Sequence, residues 1–167
     1  MSTRRHVQRI HDDWRRVRPD LDPTPMRRLI LLNLTARLAL DQIERTQQKH
    51  GLNLAQADLL LTLYRSAPDQ GLTPGELTNL IAITPASITN RLDRLEHDNL
   101  IARTPDPHDA RARRVRLTPE GRARVEALLP DHLGNEERML AGLTDAEHAD
   151  LERLLLKLAG HLEDLTP

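Results

Sequence analysis

Apolar positions along this chain recur at the helical period almost throughout and switch to alternation only between about residues 100 and 117. Val7, Ile10 and Trp14 repeat at helical intervals among arginines, so a polar amphipathic helix is expected from Thr3 to about Val17. Arg18-Pro19-Asp20-Leu21-Asp22-Pro23 ends it. A second helix should run from about Pro25 to His50 with Leu29, Leu32, Ala36, Leu40 and Ile43 on one face and Gly51 as its stop. Asn53 or Ala55 leads into a third through Tyr64, packed by Leu59, Leu60 and Leu63, with Asp58 on its second turn.

Two more helix starts follow closely. At Thr73-Pro74-Gly75-Glu76 the Thr hydroxyl can accept from the third helical N–H while Glu76 reaches back to the cap. Leu77, Leu80 and Ile81 recur at helical spacing, and Thr84-Pro85 opens the next helix after a turn so short that the pair must cross steeply. In that next helix, at about 100° per residue, Ile88, Leu92 and Leu95 share a narrow inward arc. Ala86, Ser87, Asn90, Asp93 and Arg94 point outward, a set suited to the major groove: Asn pairs with adenine, Ser and Arg take phosphate or guanine, and Ala lets the backbone approach.

Asn99 is a candidate helix C-cap, after which Leu100-Ile101-Ala102-Arg103 and Arg114-Val115-Arg116-Leu117 make a two-stranded ribbon. Its tip, Pro105 to Arg113, cannot bury a core but can hold guanidinium groups over phosphates or in a narrow minor groove. Beyond it, Thr118-Pro119-Glu120 starts a helix that Pro130 should kink or break. Thr144-Asp145-Ala146-Glu147 is a capping box opening a terminal helix with Leu151, Leu154, Leu155, Leu158 and Leu162. That leucine row is too strong for a solvated face and, with the N-terminal helices, suggests two-fold pairing of identical chains; packing within the monomer is the alternative.

The expected architecture is therefore mainly α with a small β-wing: a winged helix-turn-helix over 55–121, between N-terminal helices over 1–54 and C-terminal dimerisation helices over 122–167. At 167 residues the chain can bury a real core, which Trp14, Tyr64 and the absence of Phe leave to aliphatic side chains. It contains no cysteine, which excludes disulfides, thiolate metal sites and thiol redox sensing. No apolar run approaches membrane-spanning length and no secretory signal is present, so a cytoplasmic location is expected.

A formal net charge of −1 argues against nucleic acid until its distribution is considered. Arg103, Arg111, Arg113, Arg114 and Arg116 face Asp106 and Asp109 in the wing, whereas the tail carries Asp131, Glu136, Glu137, Asp145, Glu147, Asp150, Glu152, Glu163 and Asp164. A basic centre and an acidic tail cancel. Enzyme chemistry finds no Gly-rich phosphate loop, no nucleophile elbow and no His-Glu-x-x-His, and the eight histidines lack ligand spacing, so neither catalysis nor a metal or other cofactor is expected.

The run Ile83-Thr84-Pro85-Ala86-Ser87-Ile88-Thr89-Asn90-Arg91-Leu92-Asp93-Arg94-Leu95-Glu96, followed by Asp109-x-Arg111 and Leu117-Thr118-Pro119-Glu120-Gly121, resembles the multiple-antibiotic-resistance-regulator (MarR) family. The extra N-terminal segment with Trp14 and Arg18 to Asp22 resembles its urate-responsive (PecS-type) subgroup. The resemblance implies a homodimeric repressor on a pseudo-palindromic operator in double-stranded DNA, with recognition helices in major grooves and wings on flanking minor grooves. By position it implies that Ser87, Thr89, Asn90 and Arg94 lie on the DNA face, Arg103 meets a phosphate, Arg111 and Arg113 form the wing's DNA side, and Asp109 braces an arginine at the wing base.

The subgroup resemblance further implies a small-molecule effector, urate or a related purine or phenolic anion, held by Trp14, Asp58 and Arg91. Arg91 has separate support, since it falls at the border between the apolar arc and the outward face. The alternative is Trp14 as a dimer anchor and Asp58–Arg91 as a structural ion pair. At the level of the whole protein the rival is a winged helix used for sequence-indifferent DNA binding or for protein contacts.

Overall fold

The computed structural model describes residues 2–81, 85–106, 109 and 111–165, and for 85–87 the backbone only. Helix α1 spans Thr3–Val17, α2 Thr24–Lys49 and α3 Leu54–Ser66. The helix-turn-helix pair is α4, Pro74–Ile81, and α5, Pro85–His97; strands β1, Ile101–Pro105, and β2, Arg113–Leu117, form the wing; α6 covers Pro119–Leu140 and α7 Asp145–Asp164.

The local signals that start these helices are satisfied as hydrogen bonds. Asn53 and Gln56 form a reciprocal capping box at α3, and Thr144 with Glu147 does the same at α7. At α4 the backbone N–H of Glu76 donates to Thr73 Oγ1 at 3.2 Å, and that of Thr73 donates to Glu76 Oε2 at 2.7 Å. The bond from the Thr73 backbone N–H holds the Glu76 carboxyl below the usual carboxylate range. The Thr84 cap expected for α5 lies outside the described residues. Asn99 takes φ 58°, the left-handed conformation that ends α5 and turns the chain into β1.

One aliphatic core joins the winged helix to its neighbours. Leu59, Leu60 and Leu63 of α3, Leu77 of α4, Ile88, Leu92 and Leu95 of α5, Ile101 and Val115 of the wing, and Val125 and Leu128 of α6 are all essentially solvent-free. Leu52 belongs to the same cluster, so the core crosses both boundaries drawn at 55 and 121. In the short α4 only Leu77 and the half-buried Ile81 take the inner seam, and Leu80, expected beside them, projects outward.

The wing is tied back to the helices. Its strands pair antiparallel with Ile101 opposite Leu117, and Leu72 exchanges both backbone hydrogen bonds with Val115 at 2.7 and 2.9 Å. Gly71, at φ 70°, leaves no room for a Cβ against the Val115 carbonyl. Gly121 allows the first turn of α6 to press on the Leu100 carbonyl, where a Cβ would collide.

Two expectations need correction or refinement. Pro130 does not break α6, which runs unbroken through it; the carbonyl that its missing N–H leaves unpaired belongs to Glu126, on an exposed side where water can bond it. The apolar faces of the outer helices are not absorbed by the core of a single chain. Helix α7 buries none of its residues, and Leu29, Leu32 and Leu40 on α2 and Leu151, Leu154, Leu155 and Leu162 on α7 are exposed. Helix α2 does join α6, through a polar seam: Asn135 Nδ2 donates to the Gln42 carbonyl at 3.2 Å, Arg124 Nη1 to the His50 carbonyl at 2.9 Å, and His50 Nε2 lies 2.9 Å from Asp131 Oδ2.

Because a methyl group at residue 121 must displace the start of β1, Gly121→Ala should destabilise the protein by about 1–3 kcal/mol. Gly134→Ala, at a helical position where a Cβ meets no neighbour within 4 Å, should stabilise it by about 0.4–1 kcal/mol. Urea denaturation of the two variants measures both signs.

Candidate nucleic-acid interface and effector cleft

Helix α5 has two functional sides because Ile88, Leu92 and Leu95 fix its rotation against the core. Thr89, Asn90 and Arg94 are exposed on the side turned to solvent. The Ser87 side chain lies outside the described residues. Arg91, half-buried, turns the other way into a cleft.

Beside this face stands the wing, with Arg111 and Arg113 exposed and free of ion pairs among the described residues. Arg103 and Arg114 are already engaged, and Arg116 is half-buried with its Nε unpaired among the described residues. Arg103, expected to reach a phosphate, donates from Nη2 to Asp93 Oδ1 at 2.6 Å and from Nη1 to Glu96 Oε2 at 2.7 Å. It is a strut between β1 and α5, and the outward-facing Asp93 is its partner. Arg114 donates from Nε to Asp106 Oδ2 at 2.9 Å and from Nη1 to the Gly71 carbonyl at 3.1 Å. Arg114, opposite Thr104 at the tip end of the ribbon, is thus the arginine braced by a wing aspartate, Asp106. Asp109, expected in that role, accepts instead from the backbone N–H of Arg111 at 2.9 Å and shapes the tip.

Four helices enclose the cleft, whose volume is about 490 Å³, within the range of small-molecule sites. Leu40, Ile43 and Gln47 come from α2, Leu54, Asp58 and Leu61 from α3, Arg91 from α5, and His132 and Glu136 from α6. Asp58 and Arg91, paired in the sequence reading, do share this cavity. The Asp58 carboxyl is accessible at the opening, yet loss of hydration raises it above the usual carboxylate range, against the opposing pull of Arg65 and Arg91.

Trp14 is not brought to them within one chain. It is 44 % exposed on α1 and lines a separate hollow with Ile10, Asp13 and Val17. Helix α1 meets α2 around Arg27, Arg28 and Leu31, whereas the cleft begins at Leu40, about 14 Å further along the helix axis. The sequence reading missed Gln47, His132 and Glu136. Only the i, i+4 spacing of His132 and Glu136 hinted that they share a face. Among the described residues no cluster of His, Asp and Glu could hold a metal ion, and no helix is long and apolar enough to cross a membrane.

A buried helix-turn-helix carrying an arginine-tipped hairpin defines a winged-helix DNA-binding regulator. A sequence profile of the MarR family matches residues 50–112. The chain is 31 % identical over 156 residues to the HTH-type transcriptional regulator PecS of Dickeya dadantii (strain 3937), covering 93 % of this chain and 94 % of that protein. This chain belongs to the MarR family of transcriptional regulators, and is not an enzyme.

Among solved structures, a cysteine-to-serine mutant of E. coli MarR complexed with operator DNA superposes with a TM-score of 0.70 at 26 % identity, over 80 % of this chain and 93 % of that one. Bordetella bronchiseptica BpsR, described as regulated in its DNA binding by 6-hydroxynicotinic acid, gives 0.67 at 28 % identity, over 77 % and 90 %.

The Asp58 shift carries a pH signature. A carboxyl whose folded value is raised favours folding while protonated, so its contribution is fully present below the unfolded value and is lost as pH rises through the folded one. Asp58→Asn should therefore raise the melting temperature at neutral pH, with the gain shrinking as pH falls into the carboxylate range; a pH series of thermal melts measures it.

Proposed function

We propose that this protein is a homodimeric repressor that binds a pseudo-palindromic operator and is released from it by a small anionic aromatic ligand such as urate. The carrying observation is that one short helix presents Thr89, Asn90 and Arg94 to solvent while its Arg91 lines an internal cleft. A ligand that draws on Arg91 acts on the same rigid element that meets DNA. Arg91 supplies charge-assisted hydrogen bonds to an anion, Asp58 responds to the ligand's charge, and Leu40, Ile43, Leu54 and Leu61 supply apolar walls for a ring. The relation to a ligand-regulated protein, BpsR, supports an effector.

Asn90 and Thr89, with Ser87 by family position, read bases or backbone in the major groove, Arg94 takes phosphate or guanine, and Arg111 and Arg113 follow the flanking minor groove. Arg103 acts through the strut that holds wing and α5 in register. Trp14 belongs with the exposed apolar residues of α1, α2 and α7 that a second copy covers, the role of a dimer anchor. Two copies place two reading heads about one DNA turn apart. Such a regulator works in the cytoplasm, where its DNA is.

A mobility-shift titration with DNA from the protein's own upstream region should give a footprint on a short inverted repeat that survives excess random duplex; uniform coating would mark sequence-indifferent binding instead. Arg113→Ala should weaken binding to every sequence and lower the salt slope by about 1, whereas Asn90→Ala should change base preference. Arg91→Ala should leave complexes that urate no longer releases; wild-type release by that variant overturns the effector mechanism.

Pairing is checked separately. Sedimentation should give twice the chain mass, and the double change Leu154→Glu with Leu155→Glu should give monomers with an intact far-ultraviolet spectrum and DNA affinity reduced at least about a hundredfold, because the second half-site contact is lost.

A further inference from the structure

Eight arginines and four aspartates stand among residues 2–28, and the aspartates are already committed. Asp13 pairs with Arg9 and Arg16, and Asp20 with Arg18. Asp12 accepts from Gln8 Nε2 at 2.8 Å, and Asp22 from the backbone N–H of Thr24 at 3.0 Å. The charge left over gathers where α1 crosses α2. A groove of about 500 Å³ is lined there by Arg4, Val7 and Gln8 of α1 and by Arg27, Arg28 and Leu31 of α2, and no carboxylate lines it. Arg4 and Arg28 make no ion pair among the described residues, and Arg27 Nη1 reaches the neutral Gln8 Oε1 at 3.5 Å. Val7, only 4 % exposed, gives the groove an apolar floor. At about 100° per residue, Leu29 and Leu40, on the face that the proposed second copy covers, lie about 160–180° round α2 from Leu31. The groove therefore faces away from that interface.

We propose that the groove between α1 and α2 is a second ligand site, which binds the phosphoryl groups of a small phosphorylated molecule through Arg4, Arg27 and Arg28. Three guanidinium groups gathered without a carboxylate repel one another, and a bound anion relieves that repulsion. Their number selects the kind of anion. A carboxylate is planar and offers one edge to one guanidinium fork, whereas the tetrahedral oxygens of a phosphoryl group point in several directions and can accept from forks arriving on two different helices. A diphosphate, with more than two negative charges, matches three arginines better than a single phosphate does. Val7 and Leu31 offer an apolar rest for whatever body the phosphate carries. Because Arg4 comes from one helix and Arg27 and Arg28 from the other, the bound anion ties α1 to the helix on which it is docked. The site is independent of the effector cleft, which begins at Leu40.

Calorimetric titration of the full-length protein at fixed ionic strength with inorganic pyrophosphate, ADP and citrate, a polycarboxylate of comparable charge, tests this. Pyrophosphate and ADP should bind at least about tenfold more tightly than citrate and raise the melting temperature. Arg4→Gln and Arg28→Gln change exposed side chains, so the fold is retained, and each should lower pyrophosphate affinity about tenfold. Arg113→Ala and Arg91→Ala should leave that affinity unchanged, which separates the groove from the DNA face and from the cleft. Tighter binding of ADP than of pyrophosphate makes the ligand a phosphate ester whose body rests on Val7 and Leu31; equal binding makes it the inorganic ion, and both results uphold the site. Citrate binding as tightly as pyrophosphate overturns it, as does pyrophosphate binding that is lost in Arg113→Ala but kept in Arg4→Gln and Arg28→Gln. If no probe binds more tightly than about 1 mM while Arg28→Gln weakens self-association, the groove receives the acidic α7 of a second copy, and the proposal falls. The DNA-binding and effector readings stand or fall by their own tests.

Discussion

Burial of Ile88, Leu92 and Leu95 against α3, α4 and the wing is the constraint on which the rest of this molecule depends. Those three side chains have less than 3 % exposure and fix the rotation of α5 about its own axis. Once that rotation is set, Thr89, Asn90 and Arg94 must face outward and Arg91 must enter the cleft, since residue positions on a helix are not independent. An aliphatic core can hold a helix this firmly because each leucine fills its place with close-packed dispersion contacts, and a shift of one turn would leave voids that cost several kcal/mol.

The second constraint is the polar framework that holds the wing to this helix. Arg103 spans to Asp93 and Glu96, Arg114 spans to Asp106 and the Gly71 carbonyl, and the Leu72–Val115 bridge joins the loop before α4 to β2. These contacts leave Arg111 and Arg113 as the tip cations free of ion pairs among the described residues. The positive surface offered to DNA is therefore narrower than the count of wing arginines suggests. In the proposed reading, phosphates are met by the two exposed guanidinium groups of Arg111 and Arg113 beside α5.

The architecture was legible because its signals are local. Caps such as Thr73 with Glu76, the turn at Asn99 and the period of the leucines depend on neighbours within a few residues. What sequence could not supply was the partner of each charged group. Arg103 meets Asp93 and Glu96 only because β1 folds back along α5, and Asp109 serves a backbone N–H because the tip turns tightly. Asp58 and Arg91 were found through family position, while Gln47 and His132 were not, since four helices must converge before these residues line one cleft. Trp14 was linked to the cleft by its position in the family pattern, and within one chain α1 docks on the far end of α2.

In the proposed effector reading, coupling between cleft and DNA face runs through these constraints. A well-packed helix does not rotate by degrees; it moves as a body with the side chains that anchor it. A hundredfold change in operator occupancy requires about 2.7 kcal/mol of difference in ligand affinity between the DNA-competent and released arrangements. A charge-assisted hydrogen bond to Arg91 made only in the released arrangement is of that order.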